Sequence, residues 1–242
     1  MKIGKIHTLW IILLSALYTA NTCGQAVLMR LVKKINRPWV EKALHLWVDR
    51  ILRLVNVNCI VVNPHHVQPK PGQPTIIMCN HSSLYDIPLS LFAFPNHAIR
   101  MLAKKELSRI PIIGKGMTAA EFPFIDRKNR HQAIKDLSVI KGMLESGIVL
   151  WIAPEGTRSK DGALGPFKKG GFITAINARA TIIPIGIRGA NQILPARTLR
   201  LNTGQTAEVH IGAPIDASVY TIDNKDELID KVHHAMQALI DP

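Results

Sequence analysis

The sequence predicts an α/β fold, a mainly parallel sheet with helices on both faces. Two observations lead there. Short apolar runs of strand length alternate along the chain with longer segments whose apolar residues recur at helical spacing. The run Ile76-Ile77-Met78-Cys79 is apolar throughout and stops abruptly at Asn80-His81-Ser82-Ser83, as a buried strand does when it delivers residues to the carboxyl edge of a sheet.

Near the N-terminus, Lys2 and Lys5 precede the apolar run Leu9 to Tyr18, and apolar character resumes from Ala26 to Val32 after Asn21, Gly24 and Gln25. No small-x-small cleavage site follows, which argues against a signal peptide. The uninterrupted part falls short of the roughly 20 residues of a span. Arg30, Lys33, Lys34 and Arg37 follow, so basic residues flank the segment on both sides. An anchor lying in one leaflet is favoured over a complete crossing, and a core helix is the plainer alternative. Residues 39–55 carry Trp39, Val40, Ala43, Leu44, Trp47, Val48, Ile51, Leu52 and Val55 at helical spacing. With the preceding segment they form a helical hairpin.

Residues 57–62 predict a strand, and 64–74 a loop with four prolines. The chain divides here into membrane-anchoring helices, residues 1–56, and an α/β domain, residues 57–242. Strand 75–79, helix 86–94 and strand 98–103 follow, and 117–125 comes next. A helix over 131–145 carries Ala133, Ile134, Leu137, Ile140, Met143 and Leu144 on one face, and Gly147 ends it. Strand 148–153, helix 171–178, strands 181–187 and 208–211, and a helix from Asn224 complete the pattern.

Thirty Lys and Arg against seventeen Asp and Glu leave a formal charge of +13. This excess suits an anionic partner: nucleic acid, an anionic membrane surface or a phosphorylated small molecule. Aromatics are only 5% and no basic run is interleaved with them. Base stacking has little to work with, and nucleic acid ranks last of the three. Cys23, Cys59 and Cys79 are scattered without metal-ligand spacing and predict buried thiols in a reducing compartment. No metal site follows.

His81 and Asp86 stand five positions apart. A carboxylate on one ring nitrogen fixes the tautomer and leaves the other nitrogen free to take a proton. A helix cap or a chance His/Asp pair is the plain alternative. Ser82 and Ser83 are badly placed as nucleophiles beside their own His, no Gly-x-Ser-x-Gly elbow occurs, and helix capping suits their hydroxyls better. A second cluster follows downstream, Ala153-Pro154-Glu155-Gly156-Thr157-Arg158-Ser159. His81, Arg127 and Glu155 each follow an apolar strand, so their loops share one edge of the sheet.

Asn80-His81 with Asp86, Phe124-Ile125-Asp126-Arg127, Pro154-Glu155-Gly156-Thr157-Arg158-Ser159 and Ile182-Ile183-Pro184-Ile185 resemble, in order, the four blocks of the 1-acylglycerol-3-phosphate acyltransferase family. The resemblance covers residues 75–188. Ala153 departs from it, standing where the family usually has Phe.

The resemblance implies the glycerolipid acyltransferase fold and transfer of a fatty acyl group from a thioester to the sn-2 hydroxyl of lysophosphatidic acid, giving phosphatidic acid in phospholipid biosynthesis. His81 is then the base and Asp86 its orienting partner, with backbone N–H groups after His81 as candidate oxyanion donors. Arg127 and Arg158 are assigned to the acceptor phosphate, since a guanidinium fork matches phosphate geometry. Lys105 resembles a further family lysine. Glu155 either meets the glycerol hydroxyl or braces its loop, Gly156 allows close backbone approach, and Thr157 completes the block. Phe167-Lys168-Lys169-Gly170-Gly171 offers two cations for a CoA phosphate or a carrier protein. Ile110, Pro111, Ile112, Ile113 and Met117 are candidates for an acyl groove. No cofactor or metal is implied, acyl-CoA or acyl-carrier protein being a co-substrate. The expected place is the cytoplasmic face of the inner cell membrane. The alternatives are another acceptor, such as a lyso-ornithine lipid, and a non-catalytic protein binding anionic lipid.

Overall fold

The computed structural model describes residues 4–126 and 129–241. Two helices, α1 (Lys5–Leu31) and α2 (Arg37–Leu54), form an N-terminal hairpin. Asn36 caps α2 by accepting a hydrogen bond from the Trp39 amide (2.9 Å). The Trp47 indole donates to Thr19 Oγ1 at 3.0 Å and ties the pair together.

The rest alternates strand and helix: β1 (Asn58–Val62), β2 (Thr75–Cys79), α3 (Asp86–Ala93), β3 (Ile99–Met101), β4 (Ala103–Lys104), α4 (Ile113–Ala119), β5 (Phe124–Ile125), α5 (Arg130–Glu145), β6 (Val149–Ile152), α6 (Gly170–Asn177), β7 (Thr181–Arg188), α7 (Ala190–Ile193), β8 (Thr206–Ile211), β9 (Ile215–Asp216) and α8 (Lys225–Ile240). A seven-stranded sheet runs β1-β8-β7-β2-β6-β3, with β9 also on β7. Pairs β1–β8, β7–β2, β2–β6 and β6–β3 are parallel. Only β7–β8 and β7–β9 are antiparallel among the described strands. β4 and β5 form a separate parallel ribbon.

β2 lies at the centre, every residue buried. Side chains alternate across a strand, so its residues divide between two cores. Ile77 and Cys79 join Ile183, Ile185 and Trp151 against α2 and α3, with Val48, Ile51 and Leu52 from α2. Ile76 and Met78 join Leu150 and Ile182 against α5, α6 and α8, with Phe172, Leu228, Val232 and Met236. Burying each of these large side chains contributes about 1.5–3 kcal/mol. α8 lies close on β7: a Cβ at Gly186 would sit 2.6 Å from Leu239 Cβ.

Two expectations change. α1 is one unbroken helix of 27 residues, about 40 Å at 1.5 Å per residue, long and apolar enough to cross a membrane. Asn21, Gly24 and Gln25 do not interrupt it. A mid-helix glycine costs about 1 kcal/mol, and the packing of this half of α1 on α4 offsets it. The second change is α4, which occupies 113–119 where glycines at 114 and 116 mask helical patterning. Those glycines are steric requirements. A Cβ at Gly114 would lie 2.1 Å from the Ser108 carbonyl oxygen, and one at Gly116 2.4 Å from Cys23 Cβ on α1. The segment 117–125 therefore divides between the end of α4, a turn and β5.

Candidate active site

The parallel strands β3, β6 and β2 leave the sheet in one direction, so the residues after them gather at one edge. Asn80 fixes the first of these loops. Its Nδ2 donates to the Ile187 carbonyl (3.0 Å) and its Oδ1 accepts from the Ile187 amide (2.8 Å). A side-chain amide thus extends the β2–β7 ladder by one rung beyond the strand.

His81 follows. Its Nδ1 lies 2.8 Å from Asp86 Oδ2. Asp86 is the first residue of α3 and wholly buried, where a helix N-terminus favours a carboxylate. The same Oδ2 accepts from the Ser82 and Ser83 amides, each at 2.8 Å. Oδ1 has no hydrogen-bond partner among the described residues. The helix begins at Asp86, after the two serines, so their hydroxyls do not cap it. Ser83 Oγ instead accepts from the Tyr85 amide (3.2 Å) and donates to the Leu194 carbonyl (2.9 Å). Because the Ser82 and Ser83 amides are taken by Asp86, neither is the free oxyanion donor expected there.

The loop after β6 holds the His81 backbone from both sides. Glu155 Oε1 accepts from the His81 amide (2.9 Å), and the Ser159 amide donates to the His81 carbonyl (2.7 Å). Glu155 Oε2 accepts from the Gly165 amide at 3.1 Å. With both oxygens on backbone amides, Glu155 has the geometry of a brace. Burial pushes its carboxyl above the ordinary value, while the His81 and Gly165 hydrogen bonds pull it down. Gly156 turns the chain in the left-handed region (φ 74°) and donates to the Ala153 carbonyl at 3.0 Å. Trp151 on β6 meets the imidazole edge to face, ring centres 6.0 Å apart. The Cys79 thiol is buried and its pKa is pushed far up by that burial, so it is no nucleophile.

The basic residues are held more loosely. Thr157 is exposed and Arg158 half-buried; among the described residues Arg158 has neither a hydrogen-bond nor an ion-pair partner. Lys105, just beyond β4, places Nζ 3.1 Å from Asp126 Oδ2. Asp126 follows β5, and its amide donates to Asp136 Oδ2 (2.9 Å). Arg127 lies outside the described residues. Lys169 pairs with Asp226 at 3.0 Å, both exposed. The dyad, Glu155 and the 156–159 loop are thus brought together, while Lys105 sits on the neighbouring ribbon. The Asn80 clamp, the Ser159 amide and the Trp151 edge contact were not assigned from sequence. Asn80 carried a signal, a buried-type polar residue ending an apolar strand; backbone contacts carry none.

A family model described as Acyltransferase matches residues 58–188. Human 1-acyl-sn-glycerol-3-phosphate acyltransferase alpha is 31% identical over 196 residues, 81% of this chain and 68% of that protein. A coconut (Cocos nucifera) 1-acyl-sn-glycerol-3-phosphate acyltransferase is 32% identical over 68% of this chain and 51% of its own length. The crystal structure of the 1-acyl-sn-glycerophosphate (LPA) acyltransferase PlsC from Thermotoga maritima superposes with a TM-score of 0.79, covering 96% of this chain and 92% of that one at 24% identity. The fold is shared with that enzyme, and the chain belongs to the acyltransferase family.

Proposed function

We propose that this protein transfers a fatty acyl group from a thioester to the sn-2 hydroxyl of 1-acylglycerol-3-phosphate, yielding phosphatidic acid. The observation that carries the mechanism is the His81–Asp86 contact of 2.8 Å, made by an imidazole whose backbone is clamped at both its amide and its carbonyl. With the Nδ1 proton donated to Asp86, Nε2 is the free base. Nε2 takes the acceptor's hydroxyl proton as the oxygen forms its bond to the thioester carbonyl carbon. The tetrahedral intermediate collapses with cleavage of the C–S bond, and the imidazolium returns the proton to the departing thiolate. Asp86 steadies the imidazolium through the Nδ1 contact. The proton balance closes on His81 without a covalent enzyme intermediate.

Arg158, half-buried and without a partner among the described residues, suits the acceptor phosphate, together with Arg127 and Lys105. The Lys105–Asp126 pair opens onto a ligand of higher charge without leaving a buried ion behind, since both side chains are partly exposed. Gly156 and Thr157 border the same loop. For the acyl chain, Ile113 and Met117 line an apolar cavity of ≈ 110 Å³ between α1, α2 and α4, walled also by Trp39, Val40 and Phe122. Ile110 and Ile112, both exposed, precede Ile113 in the chain and do not line the cavity. The donor is acyl-CoA or acyl-carrier protein, with Lys168 and Lys169 as a landing point for its phosphates. The α1–α2 pair associates with the membrane, and free cysteines with basic flanks suit its cytoplasmic face.

The test is acyl transfer from labelled acyl-CoA to a panel of lysolipids in detergent micelles, wild type beside His81→Ala. Phosphatidic acid formed by the wild type alone is expected. Turnover that survives in His81→Ala overturns the mechanism, and activity confined to phosphate-free acceptors overturns the arginine assignments.

A further inference from the structure

The segment after α7 has no part in the chemistry above. Residues 195–202 form a surface loop closed at its base, where the Asn202 amide donates to the Ile193 carbonyl at 2.9 Å and its side chain to the Gln192 carbonyl at 2.5 Å. Arg197, Leu199 and Arg200 project from it exposed, Leu199 to 70%. Across an open cleft the loop faces Lys5 and Leu9 at the start of α1, and Leu9 is 61% exposed. Among the described residues, no acidic side chain lines this cleft. Lys5, Arg197 and Arg200 make no ion pair among the described residues. Leu9, Trp10, Leu13 and Leu17 continue an exposed apolar surface down α1 from the same end.

A bare leucine between two unpaired arginines, beside an apolar helix that starts with a lysine, has the order of a membrane interface: apolar below, cationic at the headgroups. We propose that the loop is a second membrane contact, in which Leu199 enters the acyl boundary of an anionic bilayer while Arg197, Arg200 and Lys5 take the lipid phosphates. The inference rests on α1 being membrane-associated, and adds a point at which the catalytic domain itself touches the bilayer. That point is joined to the site. Ser83, whose amide holds Asp86, also donates through its hydroxyl to Leu194 at the root of the loop. Two contacts fix the tilt of the domain, where one helix alone would leave it free to swivel.

The test uses the full chain with Cys23→Ala and Cys59→Ala, leaving buried Cys79 unlabelled, and an environment-sensitive fluorophore on Leu199→Cys or, separately, on Leu13→Cys. Both labels should brighten on phosphatidylcholine vesicles containing phosphatidylglycerol. Arg197→Gln with Arg200→Gln should weaken the response at 199 roughly thirtyfold in apparent partitioning and leave the response at 13 intact. Retained acyl transfer in neutral detergent micelles shows that this variant is folded. If position 13 brightens and 199 stays in water, the loop contact is wrong and the anchor stands. If neither brightens, both fall. If 199 brightens equally on pure phosphatidylcholine and ignores the arginine changes, the headgroup clamp is overturned.

Discussion

The two sides of the candidate site are built in opposite ways. Around His81 the described polar contacts are short and internal: Asp86 Oδ2 gathers the imidazole and two amides, and Glu155 gathers two more. Around Arg158 and Lys105 the described residues form one partly exposed ion pair and leave the Arg158 guanidinium without a partner among them. The tasks proposed for the two sides account for the difference. A general base must present one nitrogen at one angle before substrate arrives. A phosphate site must keep its cations available, because a cation already satisfied by the protein gains little from a ligand.

Breaking the rigid side should cost most. His81→Ala is expected to lower acyl transfer about 10³-fold or more, with the fold intact by circular dichroism. Asp86→Asn keeps an oxygen for the imidazole and for the Ser82 and Ser83 amides yet removes the charge that steadies the imidazolium. Activity should fall about 10²-fold with little change in acceptor KM. On the loose side, Arg158→Lys should raise the acceptor KM about tenfold, because an ammonium cannot reproduce the fork, while kcat holds. A matching fall in kcat would place Arg158 with the base instead. Glu155→Gln turns its amide nitrogen towards a backbone N–H, and a loss of about 1–3 kcal/mol is expected in urea unfolding.

The smallest effect belongs to an exposed pair. The Arg37 guanidinium, hydrogen-bonded to Glu121 at 2.9 Å, holds that carboxyl below its ordinary value. A carboxyl lowered in the folded state adds stability that is complete above the unfolded pKa of about 4.3 and is lost as pH falls through the folded value. The urea midpoint of wild type should exceed that of Glu121→Gln slightly at neutral pH, and the gap should close on acidification. A gap that widens in acid would contradict the assignment.

Much of this was legible in the chain. β2, β7 and α8 lie where their patterning put them because their apolar residues are core residues. The dyad was legible because one polar pair follows one apolar strand. α4 was not, since Gly114 and Gly116 answer to contacts with Ser108 and Cys23 that spacing does not reveal. The continuity of α1 was hidden likewise, as Gly24 is supported by packing from α4. Nor was the fate of the Ser82 and Ser83 amides legible, for they bond to a side chain that folds back from α3.

Asn80 has a consequence in time. Its two hydrogen bonds reach Ile187, 107 residues further along the chain. A nascent polypeptide carries His81 and Asp86 long before the ribosome has made the strand that pins the residue beside them. The pair is synthesised early and aligned late, so a half-made chain holds the imidazole without the frame that would aim it.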